Sequence, residues 1–180
     1  KYARANSRAE GLGNTSFKKA AWEEVDLDEY GWSRKFDLVF ASMSPGISSR
    51  DALLKMVHAS RGYCFMSSFA YRRDIVRQNL EEIIFGGARE HHNGATIYYS
   101  FNTLWEAGYY PEIFYRDTEW ENILSLDQAL FRYTHWLTRE QALDKKQQIK
   151  IHEYLESISI DGFIKEHTEA KIGYMLWKVC

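Results

Sequence analysis

The feature that most constrains this sequence is a compact apolar run at residues 36–41, which follows the charged pair Arg34-Lys35. After Asp37, apolar residues stand side by side instead of alternating with polar ones. Such a run is typical of a parallel strand that is buried on both faces. The small polar residues and the proline at 42–45 then predict a loop at the carboxyl end of the strand. Open α/β sheets bind their ligands at this end.

A second apolar run at residues 62–66 predicts a neighbouring strand, which ends at the hydroxyl pair Ser67-Ser68. Between the two runs, residues 51–59 carry the apolar pattern of a helix with one side against a sheet, and Ser48-Ser49-Arg50-Asp51 offers its cap. A strand, a helix and a second strand in this order predict a βαβ unit with a parallel strand pair. We therefore expect both strands to present serine-rich loops at the same edge of the sheet.

The rest of the chain is predicted to continue as an α/β domain without internal repeats or flexible linkers. Glycines that follow apolar periods, at Gly11, Gly86 and Gly108, predict helix ends. The predicted helices span residues 2–12, 71–85, 95–107, 126–137 and 139–157. The predicted strands outside the βαβ unit span residues 15–21, 110–117 and 171–179.

Length and composition predict one domain over residues 1–180, because a chain of this length with 45% hydrophobic residues can bury one sizeable core. The formal net charge of −2 argues against nucleic acid as a partner. The longest uncharged runs are too short to span a bilayer, and no signal-peptide pattern is present. We expect no membrane partner, a cytoplasmic location, and free thiols at Cys64 and Cys180 rather than a disulfide.

The succession of these elements resembles a class I S-adenosylmethionine-dependent methyltransferase. The resemblance rests on Ala21-Trp22-Glu23, on the strands at 36–42 and 62–67, on the helix-glycine-strand step at 105–113 and on the closing strand at 171–179. It implies a doubly wound, mostly parallel α/β sheet with an antiparallel last strand, the Rossmann-like methyltransferase fold. A helical insert at about residues 121–160 lies outside the resemblance.

The chain departs from the family pattern at its start. Family members carry a glycine-rich cofactor loop after the first strand and an acidic ribose-binding residue after the second. Neither is present, since the glycines at Gly11 and Gly13 follow a helical pattern and not an apolar strand. We therefore expect the chain to be the carboxyl-terminal part of a longer protein, with the fold incomplete at its amino terminus. The strand at 15–21 would then lack neighbours for its backbone groups.

The resemblance implies a cofactor site for S-adenosylmethionine at the carboxyl ends of the strands. The implied cofactor-binding residues are Ala21, Trp22 and Glu23 beside the adenine, and Ala41, Ser42, Met43 and Ser44 beneath the methionine part. Small residues would let the backbone approach the cofactor, and Trp22 would stack on the purine. The alternatives are that Trp22 only packs in the core or on the surface and that the serines only end the strand.

An acceptor pocket is predicted under the helical insert, lined by Trp120, Tyr133, His135 and Trp136. The alternative is an aromatic stripe that packs the insert onto the body of the domain. His135 is either a base for an acceptor hydroxyl or amine, or a packed side chain. No catalytic residue is predicted, because the sulfonium is already activated. No metal site is predicted either, since His91 and His92 are adjacent on a loop without a third ligand.

The sequence therefore predicts methyl transfer from S-adenosylmethionine to a small-molecule acceptor, with a homodimer as one possible assembly. Two alternatives stay open. The domain is either a non-catalytic methyltransferase-like module that binds a partner protein, or a nucleotide-dependent oxidoreductase of another doubly wound family. Cofactor binding separates these alternatives from methyl transfer. Nucleic acid is not predicted as acceptor, because Ser42-Met43-Ser44-Pro45 stands where base-amino methyltransferases have an Asn-Pro-Pro-Tyr loop.

Overall fold

The computed structural model describes residues 2–87 and 95–179, apart from the side chains of residues 95 and 140. The helices are α1 (Tyr2–Ala9), α2 (Arg50–Ala59), α3 (Ile75–Phe85), α4 (Ala95–Glu106), α5 (Leu126–Glu140) and α6 (Lys145–Ser157). One 3-10 turn spans Trp22–Glu24. The strands are β1 (Phe36–Ser42), β2 (Ser60–Asp74), β3 (Glu112–Ser125) and β4 (Phe163–Lys178).

The four strands form one sheet in the order β1-β2-β4-β3. β1 and β2 are parallel, with Val39 opposite Cys64 and Ser42 opposite Ser67, which confirms the predicted parallel pair. β4 is antiparallel to both β2 and β3, which confirms the predicted antiparallel last strand. Among the described strands only one of the three pairings is parallel, so the sheet is mixed and not mostly parallel as predicted.

β4 changes its buried face along its length. Ile164 and Met175 are both buried, yet they lie an odd number of positions apart in an unbroken register with β3. Because successive side chains of a strand point to opposite faces, these two side chains lie on opposite faces of the sheet. One core packs α2 and α4 against one half of the sheet, and a second packs α3, α5 and α6 against the opposite face of the other half.

One face of the sheet is therefore bare in the half that contains β1. Leu38 is 51% and Phe40 62% exposed, so β1 is not buried on both faces as predicted. Four aromatic rings form a row across all four strands, in the order Phe40, Phe65, Tyr174 and Phe114. Neighbouring ring centroids are 4.7, 6.3 and 5.0 Å apart; the first and last pairs are stacked, and the middle pair is tilted. We call these four residues the aromatic row. The prediction is wrong because no helix within residues 2–87 and 95–179 packs on this face.

β2 continues beyond its predicted end at Ser67-Ser68 and takes up the first residues of the predicted helix 71–85. Residues 71–74 pair with residues 168–171 of β4, and this pairing outweighs the local helical pattern. The helix begins instead at Ile75, because the carboxylate of Asp74 accepts a hydrogen bond from the Arg77 N–H and caps it. The long β4 also pairs with residues 118–125, which extends β3 into the predicted insert.

The strand predicted at residues 15–21 is absent, and these residues are irregular and exposed. The physical reason is that they have no strand beside them in the described chain. The two helices of the predicted insert are present as α5 and α6, and α6 begins later than predicted because Asp144 caps it. None of the described helices is long and apolar enough to cross a membrane.

A buried polar cluster ties α5 to the sheet. The hydroxyl of Tyr133 donates to Glu166 Oε1 at 2.5 Å, and its oxygen lies 3.4 Å from Asp74 Oδ1. The other oxygen of Glu166 accepts hydrogen bonds from Arg132 at 2.7 Å and from Asn122 at 3.1 Å. Because three donors bond to the two oxygens of Glu166, its buried carboxylate is stabilised and helps to hold α5 in place.

Burial raises the pKa of the Asp74 carboxyl, and the nearby charge of Glu166 adds to this, against the lowering effects of the Arg77 N–H, of Arg72 and of the Tyr133 hydroxyl. A carboxyl whose pKa is higher in the folded than in the unfolded state destabilises the fold when it ionises. This cost is present above the folded pKa and is lost as the pH falls towards the unfolded value of about 3.9.

We therefore predict that Asp74→Asn raises the free energy of unfolding at pH 7, because asparagine keeps the helix cap and removes the buried charge. The gain should shrink steadily as the pH falls to about 4. Urea unfolding at several pH values measures both. Asp144→Asn is the control, since Asp144 caps α6 in the same way but is exposed. A gain for Asp74→Asn that does not change with pH would contradict the prediction.

Gly62 of β2 lies close to the backbone of β1. A Cβ at this position would lie 2.5 Å from the backbone oxygen of Asp37, so one strand must move to accommodate it. We predict that Gly62→Ala lowers the free energy of unfolding by about 1–3 kcal/mol, as overpacking does. Gly87→Ala is the matched control, because a Cβ there meets nothing within 4 Å. Equal unfolding midpoints for the two variants would show that the strands are not in this close contact.

Candidate functional site

The carboxyl end of β1 forms the floor of the candidate site. The hydroxyls of Ser42 and Ser67, which are opposite each other in the register of β1 and β2, lie 2.8 Å apart. Met43 then adopts a left-handed conformation with φ of 49°, and its N–H donates to the Ser67 carbonyl at 2.9 Å. This turn ends the strand and directs the chain out of the plane of the sheet.

A short loop then leads from β1 into α2. The Ser44 hydroxyl accepts a hydrogen bond from the Gly46 N–H at 3.3 Å, and the side chain of Ile47 is buried beneath the loop. Ser49 caps α2, because its hydroxyl accepts from the Ala52 N–H at 3.1 Å. The serines of this loop therefore end a strand and begin a helix as the sequence predicted.

Trp22 lies beside this loop and is held in one orientation. Its indole Nε1–H donates to the carbonyl of Ala52 in α2 at 2.9 Å. The ammonium of Lys55 donates to three carbonyls of the 3-10 turn, those of Trp22 at 3.0 Å and of Glu23 and Val25 at 2.8 Å each. One lysine thus anchors the turn to α2. The Glu23 carboxylate accepts a hydrogen bond from the Ser48 hydroxyl at 2.5 Å.

These elements border a partly open cavity of about 420 Å³, which we call the β1 cavity. Its volume is typical of a small-ligand site. Four of the seven predicted cofactor-binding residues line it, namely Trp22, Ala41, Ser42 and Ser44. The other lining residues are Val39, Phe40, Ile47 and Met56.

Three of the predicted cofactor-binding residues are not among those that line the β1 cavity. Ala21 is exposed before the 3-10 turn, Glu23 bonds to Ser48, and the side chain of Met43 is 40% exposed. Sequence reasoning missed Phe40 and Val39 as lining residues, although they directly precede Ala41. Both line the cavity because it lies along the unpaired edge of β1, where side chains from both faces of the strand meet it.

The residues that line the β1 cavity are uncharged. They offer an aromatic surface from Trp22, a thioether from Met56 and two serine hydroxyls. Such a surface suits a flat apolar ring with a few hydrogen-bonding groups, and it supplies no acid, base or metal ligand. The described residues of the site are therefore equipped for binding and orientation.

The four predicted acceptor-binding residues lie in the other half of the sheet and on α5. Trp120 stacks on Phe69 at 6.2 Å. Tyr133 is buried against Glu166, whereas His135 is exposed two positions along the helix and therefore points to the opposite side. The guanidinium of Arg77 lies 3.6 Å from the ring centroid of Trp136.

These contacts do not place the four side chains in one cavity with Trp22, so their role in acceptor binding stays a prediction. Burial is the first cause that raises the pKa of the Tyr133 hydroxyl, and the charge of Asp74 is the second. Tyr133 therefore stays protonated and acts as a donor to Glu166. This hydrogen bond joins α5 to β4.

Cys64 is a free buried thiol, as predicted, and burial raises its pKa to about 11. It is thus neither a thiolate nor an exposed nucleophile at neutral pH. Within the described part of the chain, no three His, Cys, Asp or Glu side chains are grouped to hold a metal ion. The adjacent histidines His91 and His92, and also Cys180, lie outside the described residues.

Comparison with protein-family models and with curated proteins finds no match for this sequence. Among solved structures, the chain is similar to a candidate methyltransferase from Bacillus halodurans, with 12% identity and a TM-score of 0.49 over 98% of this chain and 76% of that one. It is also similar to the YcgJ protein from Bacillus subtilis, with 14% identity and a TM-score of 0.46 over the same shares of the two chains.

Proposed function

We propose that this protein is an S-adenosylmethionine-dependent methyltransferase that acts on a small-molecule acceptor. The observation that carries the proposal is the β1 cavity. It brings Trp22 together with Ala41, Ser42 and Ser44, which are distant from Trp22 in sequence. These are residues for which the sequence resemblance implies contact with the adenine and the methionine part of the cofactor.

The chemistry of the cavity fits this cofactor. In our proposal the fixed ring of Trp22 stacks on the adenine, and the small side chains of Ala41 and Ser42 let the backbone approach the methionine part. The cofactor, when bound, supplies a methyl group on an activated sulfonium. The protein has only to orient the acceptor and exclude water. An uncharged cavity without an acid or base is consistent with that task.

We further propose that additional strands of the same fold lie beside β1 in the complete protein. Two observations support this. The edge of β1 away from β2 pairs with no described strand, and the aromatic row next to it is bare. Unpaired strand edges and contiguous apolar patches are unfavourable in water. In this proposal the added strands take up the part of the β1 cavity beside Val39 and Phe40, and the cofactor keeps the part at the carboxyl end of β1, beside Trp22, Ser42 and Ser44. The same strands would supply the glycine-rich loop and the acidic residue that the cofactor needs.

Small molecules remain the proposed acceptor class. The net charge of −2 offers no general attraction for a polyanion. We propose no membrane partner, and a homodimer remains one possible assembly. The described residues that line the β1 cavity include no base. The acceptor would therefore have to be nucleophilic by itself, or a residue elsewhere in the fold would have to act as its base.

We predict that adenosylhomocysteine binds the natural-length protein with micromolar affinity and that Trp22→Ala weakens binding roughly tenfold or more. Aromatic stacking on a base contributes about 1–3 kcal/mol, which corresponds to this factor. Trp22→Phe should retain most of the affinity, because it keeps an aromatic face. Isothermal titration calorimetry measures all three affinities, and Trp105→Ala, on the exposed side of α4, is the control.

Other outcomes of this titration discriminate between the functional alternatives. If Trp22→Ala leaves the affinity for adenosylhomocysteine unchanged, the methyltransferase class would stand, but the adenine would not bind on Trp22. A folded protein that binds no adenosylhomocysteine would contradict the proposal and favour a partner-binding module. Nicotinamide dinucleotide binding in its place would favour the oxidoreductase.

We predict that Phe40→Ala in the natural-length protein lowers the free energy of unfolding by about 3–5 kcal/mol, as for a buried phenylalanine. The reason is that the additional strands and their helices would cover the aromatic row. Phe131→Ala is the control, because Phe131 is 77% exposed and stacks on one ring, that of His135. Phe131→Ala should lower the free energy of unfolding by about 0.5 kcal/mol, or by about 1 kcal/mol when the lost stacking on His135 is included. Equal costs in urea unfolding would show that the row stays bare.

A further inference from the structure

A second, smaller cavity of about 140 Å³ lies between the start of α2 and α4, and we call it the hydroxyl cavity. Its name reflects its lining, which is rich in serine, threonine and tyrosine. The lining residues are Ile47, Ser48, Ser49, Arg50, Leu53, Thr96, Tyr99, Ser100 and Thr103. Ile47 also lines the β1 cavity, so the two cavities share one wall at the carboxyl edge of β1.

The hydroxyls of α4 form a stripe along one side of the helix. Thr96, Ser100 and Thr103 recur at spacings of four and three residues, which places them on one helix face. A helix that packs in a protein core normally presents apolar residues on such a face, as α4 does with Ile97 and Leu104 in the neighbouring core. Thr96 is exposed at the start of the stripe and Ser100 is buried, so the stripe runs from the surface of the protein into the cavity.

Ser100 is the observation that points to a ligand. Its residue is 7% exposed and lines the hydroxyl cavity, yet its hydroxyl makes no hydrogen bond with any other residue that the structure describes. The hydroxyl is not sealed in the core, because it borders the cavity and is open to what occupies it. A group bound in the cavity would give this hydroxyl a protein-independent partner.

The lining of the cavity carries a positive charge. Arg50 is the charged residue in its lining, and the first turn of α2 presents N–H groups that have no partner within the helix. Two carboxylates stand nearby without lining the cavity. Glu23 accepts a hydrogen bond from Ser48, and Asp51 is exposed in the first turn of α2.

We propose that the hydroxyl cavity binds a small anionic group, a carboxylate or a phosphate ester, on the methyl acceptor. Arg50 would pair with the charge, and Ser100 with Thr103 would donate hydrogen bonds to its oxygens. This assignment rests on the proposed methyltransferase function, because it is the β1 cavity next door that would hold the methyl donor. The cavity volume limits the group to a few heavy atoms.

The test is a titration of the natural-length protein with inorganic phosphate and, separately, with acetate. Backbone amide shifts in NMR spectra report where each anion binds. We expect saturable shifts in the first turn of α2 and along the stripe of α4, for the anion that matches the acceptor. Arg50→Gln and Ser100→Ala should each weaken that binding roughly tenfold, as expected for loss of a hydrogen bond to a charge.

Matched controls are Arg139→Gln and Thr138→Val, which remove the same groups from α5, far from the cavity. Neither should change the anion affinity. Arg50 is exposed, so Arg50→Gln will fold even if Ser100→Ala proves unstable. Shifts that do not saturate, or that the two cavity variants leave unchanged, would overturn the proposal.

The same titrations with saturating adenosylhomocysteine separate this proposal from the proposed function. If the anion belongs to the acceptor, the bound cofactor should change the anion affinity through the shared wall at Ile47, and each cavity variant should leave the cofactor affinity unchanged. Anion binding that is the same with and without the cofactor would show an independent anion site and overturn the assignment to the acceptor. Anion binding in a protein that binds no adenosylhomocysteine would leave the anion site standing and refute the methyltransferase function.

Discussion

The parallel pairing of β1 with β2 is the interaction on which the candidate site depends. It sets Ser42 opposite Ser67 and brings the backbone of the two strands so close at Gly62 that no larger residue fits without movement. The loop after β1, the cap of α2 and the anchoring of Trp22 all follow from where this pair ends. β1 has no other strand partner in the described chain, so the site stands at an edge and not in the middle of a sheet.

The second constraint is the change of buried face along β4. It divides the domain into a half that carries both cavities and a half that carries the polar cluster around Glu166. Tyr133 and Trp136 belong to the second half, where one bonds to a carboxylate and the other lies under an arginine. Tyr133 thus helps to hold α5 on the sheet, and the role of these side chains in acceptor binding stays a prediction.

Local signals predicted much of this. The end of β1 at Ser42, the Ser49 cap of α2 and the alternation of the last strand all come from short-range pattern, and the structure has each of them. Longer-range pairing decided where the pattern failed. The local pattern of residues 71–74 predicts the start of a helix, but these residues form a strand because β4 lies beside them. The local pattern of residues 15–21 predicts a strand, but these residues are irregular because no described strand pairs with them.

The sequence by itself determined the βαβ unit, the start of α2 after Ser49 and the serine-rich loop at the edge of the sheet. These features depend on the spacing of apolar residues and on the side chains at the ends of each element, which are local properties. Only the tertiary structure decided which face of β1 is covered, that Lys55 anchors the turn of Trp22, and that the stripe on α4 meets the start of α2. Burial and cavity lining depend on which elements pack together, and the periodicity of one segment does not contain that information.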